Sequence, residues 1–180
     1  MKKSISLFLL LLLSGTVLAG PESFTKGPVI NNFGPAADVV SSDFPIDKKR
    51  LHKVVFDVSK SPEDPEAVNS GFETLARYLN MHARAGVPTE NMQLVLVVHG
   101  GAGKDVLSNA AYQKRMQVDN PNLPLLKELA AAGVKTYICG QTAAYRGYKK
   151  NELAEVTGLA LSALTVLEEL QHQGYSLIAF

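Results

Sequence analysis

The chain alternates between two hydrophobic periods. Lys53-Val-Val-Phe-Asp-Val-Ser59 is a near-continuous apolar run rich in β-branched residues, which predicts a strand buried on both faces. Ser61-Pro-Glu-Asp-Pro65 follows as a turn and helix start, with acids where the helix dipole favours them. Apolar residues at Val68, Phe72, Leu75 and Leu79 then recur at helical spacing, which predicts a helix over 67–85 ended by Gly86-Val-Pro88. Gln93 to Val98 is a second buried strand, and Val134 to Cys139 a third. Helices are predicted over 108–118 and 125–132, the latter closed by Gly133. Residues 140–150 read as loop plus short helix, and 153–158 as a connector or a further helical turn. A fourth short strand is expected over 159–162, a helix over 163–173 and a last strand over 175–180. Apolar strands alternating with helices predict one α/β domain, its mostly parallel sheet flanked by helices in three layers.

The N-terminus follows a different pattern. Met1-Lys2-Lys3 is a short basic start, Leu7 to Leu13 is apolar, and Val17-Leu18-Ala19 places small residues at a signal-peptidase site. The apolar core of about ten residues is well short of the roughly 20 that span a bilayer. Residues 1–19 are therefore expected to be a cleaved signal peptide, removed after Ala19, with a periplasmic destination and no membrane span afterwards. Residues 20–50, rich in Pro, Gly, Asn and Ser, read as an extended N-terminal arm ahead of a domain over 51–180.

Composition narrows the functional classes. The net charge is +1, and no basic cluster is denser than Lys48-Lys49-Arg50, so a nucleic-acid surface is not expected. His52, His82, His99 and His172 show no metal-ligand spacing, and no cofactor motif is complete. Gly100-Gly101-Ala102-Gly103-Lys104 suggests a phosphate cradle. However, Val98 and Asp105 stand where a P-loop needs glycine and Ser or Thr, and Val106 stands where the dinucleotide fingerprint needs its third glycine. The loop is either a tight strand-to-helix turn or an anion- or small-ligand-binding loop using backbone N–H groups of Gly100, Gly101 and Gly103.

Two strand ends carry candidate chemistry, since ligands of open α/β sheets bind beyond the carboxyl ends of strands. His99 is either a loop-capping histidine or a general acid/base. Cys139, the only cysteine, cannot form an internal disulfide. If Gly140-Gln141-Thr142 opens a helix, the thiol lies at its N-terminus, where N–H groups and the dipole lower a thiol pKa. The alternative is a buried cysteine acting as a small apolar side chain.

Several segments, in order, resemble the DsrE/DsrF-like family over about residues 52–180: Lys53 to Ser59, Val68-Asn-Ser-Gly-Phe72, Val95-Leu-Val-Val-His-Gly100, Val134 to Gly140, and Glu169 to Tyr175. The match is nearest to a secreted branch with a His-Gly loop and a Cys-Gly-Asn-Thr-like segment, here Cys139-Gly140-Gln141-Thr142. The resemblance implies a five-stranded, mostly parallel sheet and homo-oligomers, either trimers or hexamers. Cys139, followed by Arg146-Gly147, would correspond to the persulfide-carrying cysteine of sulfur-relay subunits. Arg146 would stabilise an anion, His99 would move a proton, and Gln141 and Thr142 would line the site. A sulfur donor or acceptor protein is the implied partner. The chain is at most a sulfur-transfer enzyme; the other reading is a non-catalytic binding or assembly module with a structural Cys139.

Overall fold

The computed structural model describes residues 20–179; the leader assigned to residues 1–19 and the final Phe180 lie outside them. The chain runs β1 (His52–Val58), α1 (Ser70–Arg84), β2 (Met92–Val98), a 3-10 turn (Gly100–Val106), α2 (Asn109–Met116) and α3 (Leu123–Ala131). It continues through β3 (Lys135–Cys139), α4 (Gly140–Arg146), β4 (Thr157–Ala160), α5 (Ala163–His172) and β5 (Ser176–Ala179). The sheet order is β4-β3-β2-β1-β5, and every pairing is parallel.

The order explains the layers. From β1 to β4 the chain steps across the sheet in one direction, and its helices gather on one face. Phe72, Leu75 and Leu79 of α1, Tyr112 of α2, Leu125, Leu126 and Leu129 of α3 and Ala143 of α4 pack there against Phe56, Leu96 and Ile138. The return from β4 to β5, beyond β1, reverses the direction. Right-handed crossovers then require α5 to cover the opposite face. Ala163, Val166, Leu167 and Leu170 pack there on Val55, Val95, Val97 and Cys139. Among the described residues this second face has one helix over five strands, and it is the thinner side of the core.

Element boundaries shift where polar contacts override the apolar pattern. The first helix starts at Ser70, because Asn69 caps it by accepting the Gly71 N–H at 2.9 Å. Asn69 is itself held by Asn122 and Asp105 (2.8 and 2.7 Å), so residues 61–69 are a pinned loop. The fourth strand occupies Thr157–Ala160, two residues earlier than expected, and takes Thr157 and Gly158 from the anticipated connector. Pairing with Thr136 and Tyr137 sets that register, and a half-exposed edge strand carries little hydrophobic signal.

The segment before β1 is docked by polar side chains. Asn80, fully buried on α1, accepts the N–H groups of Val29 and Ile30 and donates to the carbonyls of Ile30, Phe33 and Gly34. One turn on, Arg84 donates to the carbonyls of Thr25, Lys26, Gly27 and Ala36. Thr25 and Ala36 form a two-residue antiparallel bridge, so this part of the arm folds back on itself. Ile30, without solvent exposure, joins the large core cluster. Among the described residues no helix is long and apolar enough to cross a membrane.

Candidate functional site

The carboxyl ends of β3 and β4 diverge: β3 leads into α4 on one face, and β4 leads into α5 on the other. Such a switch in direction opens a crevice at strand ends, the usual ligand position of open α/β sheets. Cys139, the last residue of β3, stands in it, with its side chain on the α5 face.

Two helix starts converge on the sulfur. Burial pushes the thiol up. The polar influence of the backbone N–H groups of Thr142, Ala163 and Gln141, and of the Thr142 hydroxyl, outweighs that burial and leaves the thiol below its ordinary value. Gln141 and Thr142 belong to the first turn of α4, and Ala163 is the first residue of α5, whose N-cap Ser162 accepts the Thr165 N–H at 3.0 Å. Unpaired N–H groups at helix starts favour an anion, and here two sets of them face one sulfur. Cys139 is 7% exposed, so the sulfur is sheltered but not sealed.

Gly140 makes this convergence possible. A Cβ at that position would run into the carbonyl oxygens of Ala160 and Leu161, at the end of β4. Without a side chain, α4 begins in direct contact with the segment that begins α5. Gln141 closes the same seam by donating from Nε2 to the Leu161 carbonyl at 3.2 Å.

The glycine loop is joined to the thiol through Thr142. The Gly100 N–H donates to Thr142 Oγ1 at 3.1 Å, and the Ala102 N–H donates to the Ser59 carbonyl, also at 3.1 Å. Gly100 has φ +55°, a conformation that favours glycine. Gly103 is buried, and a Cβ there would meet the Thr142 methyl group at 2.9 Å. Gly101 is exposed, close to the Ser59 carbonyl. Beneath the loop, fully buried Asp105 binds Lys104 Nζ (2.7 Å), Ser61 Oγ (2.9 Å) and Asn69 Nδ2 (2.7 Å). These contacts make the loop a packing element tied to the thiol, with its Gly100 and Ala102 amides engaged by the protein itself.

His99 follows β2 in extended backbone (φ −149°). Its Nε2 stands 3.0 Å from Asp57 Oδ1 of β1, with side-chain exposures of 32% and 20%. Pairing of Val98 with Ile138, continued by one position, sets His99 beside Cys139 on neighbouring strands. Asp57, His99 and Cys139 thus share the α5 face at the carboxyl ends of β1, β2 and β3. Arg146 is placed differently. It ends α4, roughly 10 Å of helix from Cys139, with its guanidinium 5.9 Å from the Tyr145 ring. Its charge also lowers the Tyr148 phenol, although burial leaves that group raised.

Sequence reasoning missed Asp57 and the α5 N-terminus. Asp57 had a visible signal, a lone charge within the buried run Val-Val-Phe-Asp-Val. Ala163 had none, because only the crossover over the far face brings its N–H to the thiol. Among the described residues no group of three or more His, Cys, Asp or Glu could hold a metal ion. A cleft of about 760 Å³ is lined by Val29, Asn31, Glu128 and Gly133 at the amino-terminal edge of the sheet, opposite Cys139.

A parallel α/β sheet with a thiol at a helix-lined strand end defines the class of protein. The DsrE/DsrF-like family model matches residues 52–180, and the chain belongs to that family. Two solved structures share the fold. The protein of unknown function MTH1491 from Methanobacterium thermoautotrophicum is 19% identical with a TM-score of 0.54, covering 72% of this chain and 99% of its own. The ychN protein from E. coli is 18% identical with a TM-score of 0.54, covering 72% of this chain and all of its own. No curated protein matches the chain.

Proposed function

We propose that this is an exported sulfur-handling protein in which Cys139 accepts a sulfane sulfur as a persulfide and passes it on. The observation that carries this reading is the set of N–H groups from two helix starts, with the Thr142 hydroxyl, around the Cys139 sulfur. The thiolate is the nucleophile, and the same donors hold the negative charge of the persulfide formed on it. His99, just past the end of the adjoining strand, exchanges the proton. Arg146, at the exposed end of α4, is available to a donor or acceptor protein rather than to the sulfur.

The reaction is tested by treating the purified protein with polysulfide and recording its intact mass. The expected result is a gain of one sulfur atom, lost on reduction and absent from Cys139→Ser. No gain, or the same gain in the variant, removes the reading.

Export belongs to the same proposal: residues 1–19 direct the chain to the periplasm and are cleaved after Ala19. Protein recovered from an expressing bacterium should then begin at Gly20 by N-terminal sequencing, and an intact Met1 in the periplasmic fraction would contradict it. Assembly into a homo-oligomer is proposed because the thinly covered face exposes Leu161 and Leu164 (72% and 80%) beside the thiol crevice.

A further inference from the structure

Asp57 is a charge placed in a buried strand. Its Oδ1 is buried and makes no hydrogen bond among the described residues, although His99 Nε2 stands only 3.0 Å away in an ion-pair contact. A buried carboxylate oxygen without a donor is costly. The cost is relieved when Nε2 carries a proton and turns toward that oxygen. An imidazole held through Nε2 keeps Nδ1 for exchange. His99 directly follows Val98, whose partner Ile138 directly precedes Cys139, and its contact with Asp57, two residues from Val55 on the α5 face, puts the imidazole on the side of the sheet where Cys139 packs.

We infer that Asp57 is a positioning residue: it holds His99 through Nε2, so that Nδ1 takes the proton from Cys139 and returns it to the thiol that leaves the sulfur donor. This inference rests on the sulfur-carrier reading. The substrate class is a persulfide, R–S–SH. Nδ1 accepts the Cys139 proton, and the resulting imidazolium faces the Asp57 carboxylate. The thiolate attacks the outer sulfur of the donor, forming Cys139–S–SH as the donor S–S bond breaks. The electron pair leaves on R–S⁻, which takes the proton from Nδ1. One thiol and one persulfide give one persulfide and one thiol, with no outside oxidant or reductant.

The test compares two electrophiles on the full chain. Glutathione persulfide expels a basic thiolate that needs a proton, whereas 2,2′-dithiodipyridine expels a group that needs none. The ratio of the two second-order rates cancels any change in the thiolate population. Asp57→Asn should lower that ratio about tenfold, and His99→Gln about a hundredfold, the usual range of general acid–base help. Adding Asp57→Asn to His99→Gln should do nothing more, because Asp57 acts through the imidazole. Circular dichroism confirms that each variant is folded, and Asp57→Ser replaces Asp57→Asn if that one is not. An unchanged ratio, or equal slowing with both electrophiles, overturns the inference, as does an additive double variant. If the unaltered protein forms no persulfide while dithiodipyridine still reacts, the sulfur-carrier reading falls and takes this inference with it.

Discussion

The Thr142 hydroxyl accepts the Gly100 N–H at 3.1 Å and helps hold the Cys139 thiol below its ordinary value, so one side chain couples the glycine loop to the thiol. Thr142→Val keeps the shape and the backbone N–H groups but removes the hydroxyl. A hydrogen bond to a charged group contributes about 1.5–3 kcal/mol, so iodoacetamide should alkylate Cys139 about tenfold more slowly at neutral pH. The stopped reaction is followed by intact mass, and an unchanged rate would deny the hydroxyl its role.

Gly140→Ala places a methyl group against the carbonyls that close β4. The starts of α4 and α5 must then separate. Overpacking of this kind costs about 1–3 kcal/mol, read as a lower urea midpoint at unchanged slope. The thiol should also lose donors, so its ionisation should move up toward the ordinary cysteine range. A destabilised variant with an unshifted thiol would show that convergence of the helices is not what lowers it.

Stability should depend on the Cys139 proton with a defined sign. The folded thiol is lowered relative to the unfolded chain. Ionised Cys139 therefore adds stability that is full above the unfolded thiol's range and is lost as the pH falls through the folded value. As the pH rises toward the ordinary thiol range near about 8.5, the urea stability of the unaltered protein should rise relative to Cys139→Ser. A flat difference across that window would contradict the lowered thiol.

The arm is held by α1 through Arg77, Asn80 and Arg84, and of these Asn80 is fully buried. Asn80→Ala strands buried amide and carbonyl groups of residues 29–34, each costing about 1–3 kcal/mol when unpaired. The variant should unfold at least about 2 kcal/mol more easily. Proteases should cut it first within residues 25–36, and cleavage elsewhere would show that Asn80 serves another part of the fold.

The exposed leucines beside the crevice offer a test of assembly. Leu161→Asp with Leu164→Asp should convert an oligomer to monomers in sedimentation velocity, without loss of helix signal. Persistence of the oligomer would place the interface elsewhere.

The amino-acid sequence by itself determined the α/β class, the buried strands β1, β2 and β3, and the placement of Cys139 at a strand end. Continuous apolar runs and their turn residues are local signals, and strand ends follow from them. Cys139 as a thiol at the start of a short helix was legible for the same reason. The edge strand β4 was not, because four half-exposed residues take their register from Thr136 and Tyr137 rather than from their own pattern. Tertiary structure alone decided the rest of the site. The direction reversal after β4 carries α5 to the other face and brings the Ala163 N–H to a sulfur 24 residues earlier in the chain. Pairing of β1 with β2 brings Asp57 to His99. Both relationships are made by strand order, and strand order is set by the handedness of the crossovers and by burial of two unequal sheet faces, which no local stretch of residues encodes.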